Sequence, residues 1–142
     1  MSMVHTLRLR IYYEDTDCGG VVYYANYLKY CERARTEFLE TQGVHMKELM
    51  EEGIFFVVAE AALKYRSPGR YGDILAIETT VEQAGPASIT FRHTIKRDAT
   101  GERLVDASVR LGCVNQQMKP LRMRQDIMHA AQAGFAEEAG KK

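Results

Sequence analysis

The residues best suited to chemistry are concentrated in residues 12–27. This segment holds three carboxylates within four residues, a glycine pair and a run of tyrosines. A loop carboxylate can act as a general base or as a nucleophile toward a carbonyl carbon. An acidic loop followed by core aromatics is the simpler interpretation, so the elements around the segment must decide between the two.

The acidic loop leads into a helix predicted over residues 24–42, where apolar residues recur every three or four positions. The first turn of a helix carries N–H groups without acceptors and the positive end of the helix dipole. Such donors hold the oxyanion that forms when a carbonyl is attacked. A carboxylate beside this helix start therefore predicts a hydrolytic site.

The other elements are predicted from periodicity and turn residues. Alternation of apolar and polar residues predicts a first strand over residues 6–13 and four later strands over 55–65, 74–82, 88–97 and 102–114. Shorter helices are predicted at residues 46–52 and, weakly, at 124–139. Because the later strands are joined by short turns, we expect sequence neighbours to pair antiparallel. The predicted class is α+β, an antiparallel sheet covering one long helix.

The bulk composition fits one globular domain over residues 1–142, with a core at about 5–125 and a tail or weak helix after 120. The chain is 46% hydrophobic and 27% charged, and its 19 basic and 19 acidic residues cancel. Balanced charge gives no basis for nucleic-acid binding. The sequence has no apolar stretch long enough to cross a bilayer, so we expect a cytoplasmic protein without membrane insertion. An exposed sheet edge makes pairing with a second copy a reasonable default.

The segment from Thr16 to Tyr27 resembles the active-site signature of the 4-hydroxybenzoyl-CoA thioesterase family. The matching positions are Thr16, Asp17, Gly20, Val21, Val22, Tyr24 and Tyr27. Residues 30–39 resemble the helix of the tol-pal-associated acyl-CoA thioesterases within that family. The similarity extends over roughly residues 5–125.

This resemblance implies a hotdog fold and a homodimer, or a dimer of dimers, that hydrolyses acyl-CoA to the free acid and CoA. It implies no metal and no cofactor. Asp17 takes the place of the catalytic general base or nucleophile, and the backbone N–H of Tyr24 polarises the thioester carbonyl. Gly19, Gly20, Val22 and Tyr27 fall in the substrate-binding part of the signature, where glycines allow close approach of the ligand.

Two departures from the family pattern leave the substrate open. The tol-pal-associated group usually carries His at the position of Tyr24, whereas the aromatic-thioester enzymes carry Tyr. Those aromatic enzymes also have a basic cluster between the third and fourth strands, and residues 83–88 contain no Lys or Arg. Either other residues bind the nucleotide or the carrier is an acyl-carrier protein. A non-catalytic acyl-CoA-binding module is the alternative from another class.

The remaining candidates have simpler structural interpretations. Arg66 and Arg70 flank a Pro-Gly turn and can meet the phosphates of CoA, although isolated basic residues in turns are more often only solvated. His93 shares a strand face with apolar residues, which predicts a packed, hydrogen-bonded side chain. Cys31 and Cys113 are expected in the core, whereas Cys18 lies in the polar loop, where it acts as a nucleophile only if a base activates it.

Overall fold

The computed structural model describes residues 4–135, which form one antiparallel sheet and three helices. A short 3-10 helix spans Tyr13–Asp15, and the named elements follow in chain order: β1 (His5–Arg10), α1 (Asn26–Thr41), α2 (Met46–Glu51), β2 (Phe55–Tyr65), β3 (Ile74–Ala84), β4 (Ile89–Arg97), β5 (Arg103–Val114), β6 (Pro120–Leu121) and α3 (Gln125–Gln132). The predicted α+β class is confirmed. The last part of the helix predicted at 124–139 lies outside the described residues.

The sheet order differs from the expected meander. Its strands lie in the order β1-β3-β4-β5-β2, with β6 beside β5, and every pairing between them is antiparallel. The prediction that β2 and β3 pair across the turn at residues 67–69 is wrong. β2 pairs with β5 instead, and the connection crosses the sheet, so that the buried strands β3, β4 and β5 lie inside and the largely exposed β2 forms an edge.

The first strand ends earlier than the alternation predicts. Tyr12 donates its N–H to the Asp15 carboxylate (2.8 Å), and the Asp15 N–H donates to the Tyr12 carbonyl (3.0 Å). These bonds close a tight turn that takes Tyr13 out of the strand. β1 therefore ends at Arg10, Ile11 makes the last backbone hydrogen bonds on this side, to Gly72 and Asp73, and the chain then turns toward the start of α1.

The core lies between the sheet and one face of α1. That helix buries seven side chains in the predicted three-and-four spacing: Tyr27, Tyr30, Cys31, Ala34, Arg35, Phe38 and Leu39. Apolar residues of β3, β4 and β5 face it, and α3 covers the far end with Ile127 and Ala131. Arg35 is the exception in this stripe, because it is charged and only 6% exposed.

Candidate active site

The acidic loop is a compact turn with fixed backbone geometry. Thr16 and Val22 form an antiparallel bridge, and the Asp17 N–H donates to the Val21 carbonyl (2.9 Å). Gly20 donates to the Asp17 carbonyl (3.1 Å) and adopts φ 79°. Because this left-handed conformation costs other residues energy, glycine is the residue that closes the turn without strain.

Asp17 stands at the open side of this turn with its side chain exposed. One carboxylate oxygen accepts the Gly19 N–H at 2.8 Å, which fixes the orientation of the side chain. The other oxygen has no protein partner among residues 4–135. An oriented carboxylate with one uncommitted oxygen is suited to take a proton from water or to attack a carbonyl carbon.

The two neighbouring carboxylates behave differently. The side chain of Asp15 accepts the Tyr12 N–H, and its carbonyl accepts the Tyr23 N–H (2.9 Å) and the side-chain amide of Asn26 (2.9 Å). Asp15 therefore ties the loop to the helix start. Glu14 is exposed at the surface.

The start of α1 offers backbone donors beside this loop. The helix begins at Asn26, two residues later than predicted, and no side chain caps it. The Asn26 N–H donates to the Tyr23 carbonyl and the Tyr27 N–H approaches the Tyr24 carbonyl. The N–H groups of Tyr24 and Ala25 have no acceptor within the described chain. Such free donors are available to a ligand oxygen.

An aromatic cluster encloses the helix start and includes Tyr65, a residue that the sequence did not single out. The Tyr65 hydroxyl donates to the Tyr24 carbonyl (3.4 Å), and its ring lies 5.8 Å from that of Tyr27 and 6.4 Å from that of Tyr24. Partial burial raises the pKa of Tyr65, so the hydroxyl stays protonated at neutral pH. From the sequence, only its position at the end of β2 could have pointed to Tyr65 as a site residue, because its neighbours come from a distant part of the chain.

The loop at residues 66–73 supports the acidic turn from behind. Val22 donates its N–H to the Gly69 carbonyl (2.8 Å), and the Gly69 N–H donates to the Tyr27 hydroxyl (3.0 Å). A Cβ on Gly69 would lie 3.0 Å from Ile11 Cδ1 and 3.2 Å from the Tyr27 hydroxyl, so a larger residue would displace these side chains. Val22 and Tyr27 are thus buried behind the loop, at 5% and 3% exposure, rather than on its open side.

The two arginines of this loop have different surroundings. Arg66 forms an ion pair with Asp106 on β5 and lines a shallow basic groove of about 380 Å³ that includes Lys64 and Arg103. Arg70 lies directly beside the acidic turn, where its backbone forms an isolated antiparallel β-bridge with Val21. Its guanidinium makes no ion pair with any described residue and is exposed to solvent.

A larger cavity of about 650 Å³ begins one helical turn beyond Tyr24 and runs between α1, α2 and β2. Most of its lining is apolar, including Leu28, Leu39 and Val58, while Lys29, Glu32 and Arg35 are its charged members. A mainly apolar space near a helix start with free backbone N–H groups has the character of a small-molecule site.

The other candidates are structural. His93 is 1% exposed and its Nδ1 lies 3.0 Å from the Thr79 hydroxyl, which confirms the prediction of a packed histidine. Cys31 and Cys113 are buried, and burial raises their pKa values to about 12 and about 11. Cys18 is exposed. Across residues 4–135, no group of three or more His, Cys, Asp or Glu side chains is placed to hold a metal ion.

Comparison with known proteins gives concordant matches. A profile of the thioesterase-like superfamily matches residues 12–131. The acyl-CoA thioesterase YbgC of Haemophilus influenzae is 40% identical over 124 residues, covering 86% of this chain and 90% of that protein. The acyl-CoA thioester hydrolase YbgC of Escherichia coli O157:H7 is 39% identical over 121 residues, covering 84% and 90%.

Solved structures agree on the fold. A probable thioesterase from Bartonella henselae superposes with a TM-score of 0.80 at 31% identity, over 86% of this chain and all of the other. The DHNA-CoA thioesterase of Staphylococcus aureus gives 0.85 at 23% identity, over 92% and 89%. The predicted hotdog arrangement is confirmed. Among the described residues, no helix is both long and apolar enough to cross a membrane.

Proposed function

Because this chain belongs to the thioesterase-like superfamily, we propose that it hydrolyses acyl-CoA to the free acid and CoA with Asp17 as its catalytic carboxylate. Thioester hydrolysis itself follows from relatives near 40% identity that span almost the whole chain. The observation that carries the residue assignment is the pairing of an oriented, exposed carboxylate with a helix start whose Tyr24 N–H has no acceptor within residues 4–135.

In the general-base route, Asp17 takes a proton from water as the water oxygen bonds to the thioester carbon. The Tyr24 N–H stabilises the resulting oxyanion, and the helix dipole contributes in the same direction. Collapse of the tetrahedral intermediate breaks the C–S bond, and the CoA thiolate leaves and takes up a proton. The reaction needs no further reactant than water.

In the nucleophilic route, the Asp17 carboxylate attacks the same carbon and releases the thiolate, which leaves an acyl-aspartyl anhydride. Water then hydrolyses the anhydride and regenerates the carboxylate. A single turnover in ¹⁸O-water identifies the nucleophilic route when label appears in Asp17, because the general-base route, like attack of water on the acyl carbon of the anhydride, places the label only in the product acid. If water attacks the aspartyl carbon of the anhydride, the label enters Asp17 instead.

The substrate is proposed to lie across the Gly19–Gly20 turn, with its acyl group in the cavity beside α1. Arg70 is the favoured contact for a CoA phosphate, because it is exposed next to the turn and forms no ion pair within the described chain. Arg66 reaches the same end of the molecule but is partly engaged by Asp106. The proposed roles of Val22 and Tyr27 are to support the turn from the core.

We further propose a homodimer joined through β2, as a single dimer or as half of a tetramer. β2 pairs with β5 on one side only, and its middle residues are exposed, including Val58 at 55%. The opposite edge, β1, carries Arg8 and Arg10, and charges discourage strand addition. β2 carries Glu60 and Lys64 among eleven mainly apolar residues, so its edge is the less charged of the two and the better surface for a second copy.

Thiol release tests the proposed function directly. Purified protein is mixed with short, long and aromatic acyl-CoA esters in the presence of a thiol-reactive dye, and CoA formation is followed. Turnover of at least one series is expected. Binding without release would support the acyl-CoA-binding module instead. Release only from acyl-carrier-protein thioesters would change the carrier, an alternative favoured by the 29% identity to an Arabidopsis acyl-acyl carrier protein thioesterase.

The proposed compartment is the cytoplasm, where acyl-CoA is available as substrate. Cell fractionation with an antibody against the chain tests this part. Recovery in the soluble cytoplasmic fraction is expected, and recovery with membranes or outside the cell would contradict it.

A further inference from the structure

Arg35 is a buried cation at the wall of the large cavity. It projects from the middle of α1, is 6% exposed, and lies among apolar lining residues such as Leu39 and Val109. None of the described carboxylates lies within ion-pair distance of its guanidinium. A buried charge without a counter-charge is costly, so proteins normally pair it or place it where a ligand does so.

The one hydrogen-bonding partner of Arg35 within residues 4–135 leaves most of its donors uncommitted. Its Nη1 lies 3.5 Å from Nε2 of His93, whose Nδ1 lies 3.0 Å from the Thr79 hydroxyl. Because a guanidinium only donates, Nε2 must be the acceptor and Nδ1 must carry the proton toward Thr79. His93 is therefore neutral in this arrangement and supplies no negative charge.

The other charged residues around the cavity form no ion pair with Arg35, and Glu32 acts on it only as a nearby negative charge. Glu32 lies one turn earlier on α1 and is exposed, and it forms no ion pair with Arg35. Lys29 is a further turn toward the helix start and adds a second positive charge to the lining. The three charged lining residues therefore carry a net positive charge. The one that is buried, Arg35, lies farthest from the start of α1.

The distance along α1 between the helix start and Arg35 matches the length of an acyl group whose thioester lies at the Tyr24 N–H. Arg35 lies nine residues into α1, which corresponds to about 14 Å along the helix axis from Asn26. Side chains on a helix lean toward its N-terminus, and the Arg35 guanidinium reaches His93 on β4. An acyl chain that starts at the Tyr24 N–H and follows the apolar lining would reach the guanidinium with its distal carbon atoms.

We propose that Arg35 binds a carboxylate at the distal end of the acyl group, so that the preferred substrates are ω-carboxyacyl thioesters of medium length. This inference rests on the proposed function, because it places the thioester of the same ligand at Asp17 and Tyr24. The apolar lining receives the methylene chain, and the planar guanidinium receives the carboxylate through two parallel N–H bonds. Arg35 is then a specificity-determining residue that contacts the substrate away from the reacting atoms.

The test compares matched pairs of CoA esters that differ only at the distal end: adipoyl with hexanoyl, suberoyl with octanoyl, and sebacoyl with decanoyl. For the wild-type chain, kcat/KM for the best ω-carboxyacyl ester is expected to exceed that of its plain partner by about tenfold or more. In Arg35→Met, this ratio should fall by about ten- to a hundredfold, whereas Arg35→Lys should retain part of it.

Arg33→Met is the matched control. Arg33 lies on the exposed side of the same helix, 5.9 Å above the Tyr30 ring, and faces away from the cavity lining. Its substitution should leave the ratio unchanged. If Arg35→Met fails to fold, the wild-type ratio alone decides.

Each outcome separates the inference from the proposed function. A wild-type ratio of one or less, or an unchanged ratio in Arg35→Met, overturns the role of Arg35 while hydrolysis of plain esters leaves the thioesterase proposal standing. Loss of the oligomer in Arg35→Met, with no change in the ratio, would assign the cation to a carboxylate of a second copy. Absence of thiol release from every ester contradicts the proposed function itself.

Discussion

Three carboxylates within four residues receive different tasks because their hydrogen bonds differ. Asp15 is engaged by backbone and side-chain donors that hold the loop, whereas Asp17 accepts a single amide and keeps one oxygen uncommitted. Glu14 faces solvent. Proximity in sequence therefore does not make the three carboxylates a metal site or a catalytic dyad. The turn leaves the Asp17 carboxylate accessible, whereas Asp15 stabilises the turn.

His93 predicts how stability depends on pH. Burial, and to a lesser extent the Arg35 cation, lower the pKa of His93 from its usual value near 6.5 to about 3. Between these values the unfolded chain binds a proton that the folded chain does not. The free energy of unfolding therefore falls with decreasing pH, at up to about 1.4 kcal/mol per pH unit from this residue.

Replacing His93 with Gln removes the contribution of this residue to the pH dependence of the free energy of unfolding. The variant is expected to be less stable than the wild type near neutral pH, and the difference should shrink as the pH falls toward about 4. Urea unfolding at several pH values measures it. His129→Gln, at an exposed position on α3, is the matched control. A difference between His93→Gln and wild type that stays constant with pH would contradict the assignment.

At the scale of elements, α1 and the 66–73 loop hold the acidic turn from two sides. The Tyr27 hydroxyl on α1 accepts the buried Gly69 N–H, and the Gly69 carbonyl accepts the Val22 N–H. Tyr27→Phe leaves the Gly69 N–H buried without a partner. We expect a loss of about 1–3 kcal/mol in the free energy of unfolding. Denaturant titration measures it.

Tyr30→Phe is the control for this prediction on the same helix. The Tyr30 hydroxyl is also buried, but it has no hydrogen-bond partner among residues 4–135. Its removal should therefore cost little or even stabilise the fold. Equal losses for Tyr27→Phe and Tyr30→Phe would show that the Gly69 hydrogen bond contributes nothing specific.

At the scale of the whole molecule, the two edges of the sheet predict how copies associate. Val58 on β2 is 55% exposed and Val4, beside β1, is 56% exposed, so they form a matched pair on opposite edges. Val58→Asp is expected to convert the proposed dimer to monomer, because an added charge in the apolar part of β2 opposes strand pairing. Val4→Asp should leave the dimer intact. Analytical ultracentrifugation distinguishes these results, and a dimer that survives Val58→Asp contradicts the β2 interface.

The extent of each strand could be predicted from the sequence, whereas the order of the strands could not. Alternation of apolar and polar residues is a local signal, and it located β2 to β5 with small errors at their ends. Pairing depends on which apolar faces fill the centre of the sheet. The short turn at residues 67–69 therefore predicted the wrong neighbour for β2, and the local turn at Tyr12 and Asp15 shortened the first strand.

The candidate site divides in the same way. Asp17, the glycine pair and the helix start are adjacent in sequence, so a motif revealed them together. Tyr65 and Arg35 were not identified, because their neighbours come from other elements. Tyr65 meets Tyr24 and Tyr27 only when β2 lies beside the helix, and Arg35 looks like an ordinary surface residue until the fold buries it. A charge within an otherwise apolar helical stripe was the one local signal for Arg35.

The catalytic role of Asp17 is tested most directly by the turnover of Asp17→Asn, measured by thiol release, with Glu14→Gln as the control from the same loop. Asn can still accept the Gly19 N–H, so the turn should persist while the charge is lost. We expect kcat/KM to fall by roughly 100-fold or more in Asp17→Asn and to be unchanged in Glu14→Gln. Unchanged turnover in Asp17→Asn, with the dimer intact, would contradict the assignment of Asp17.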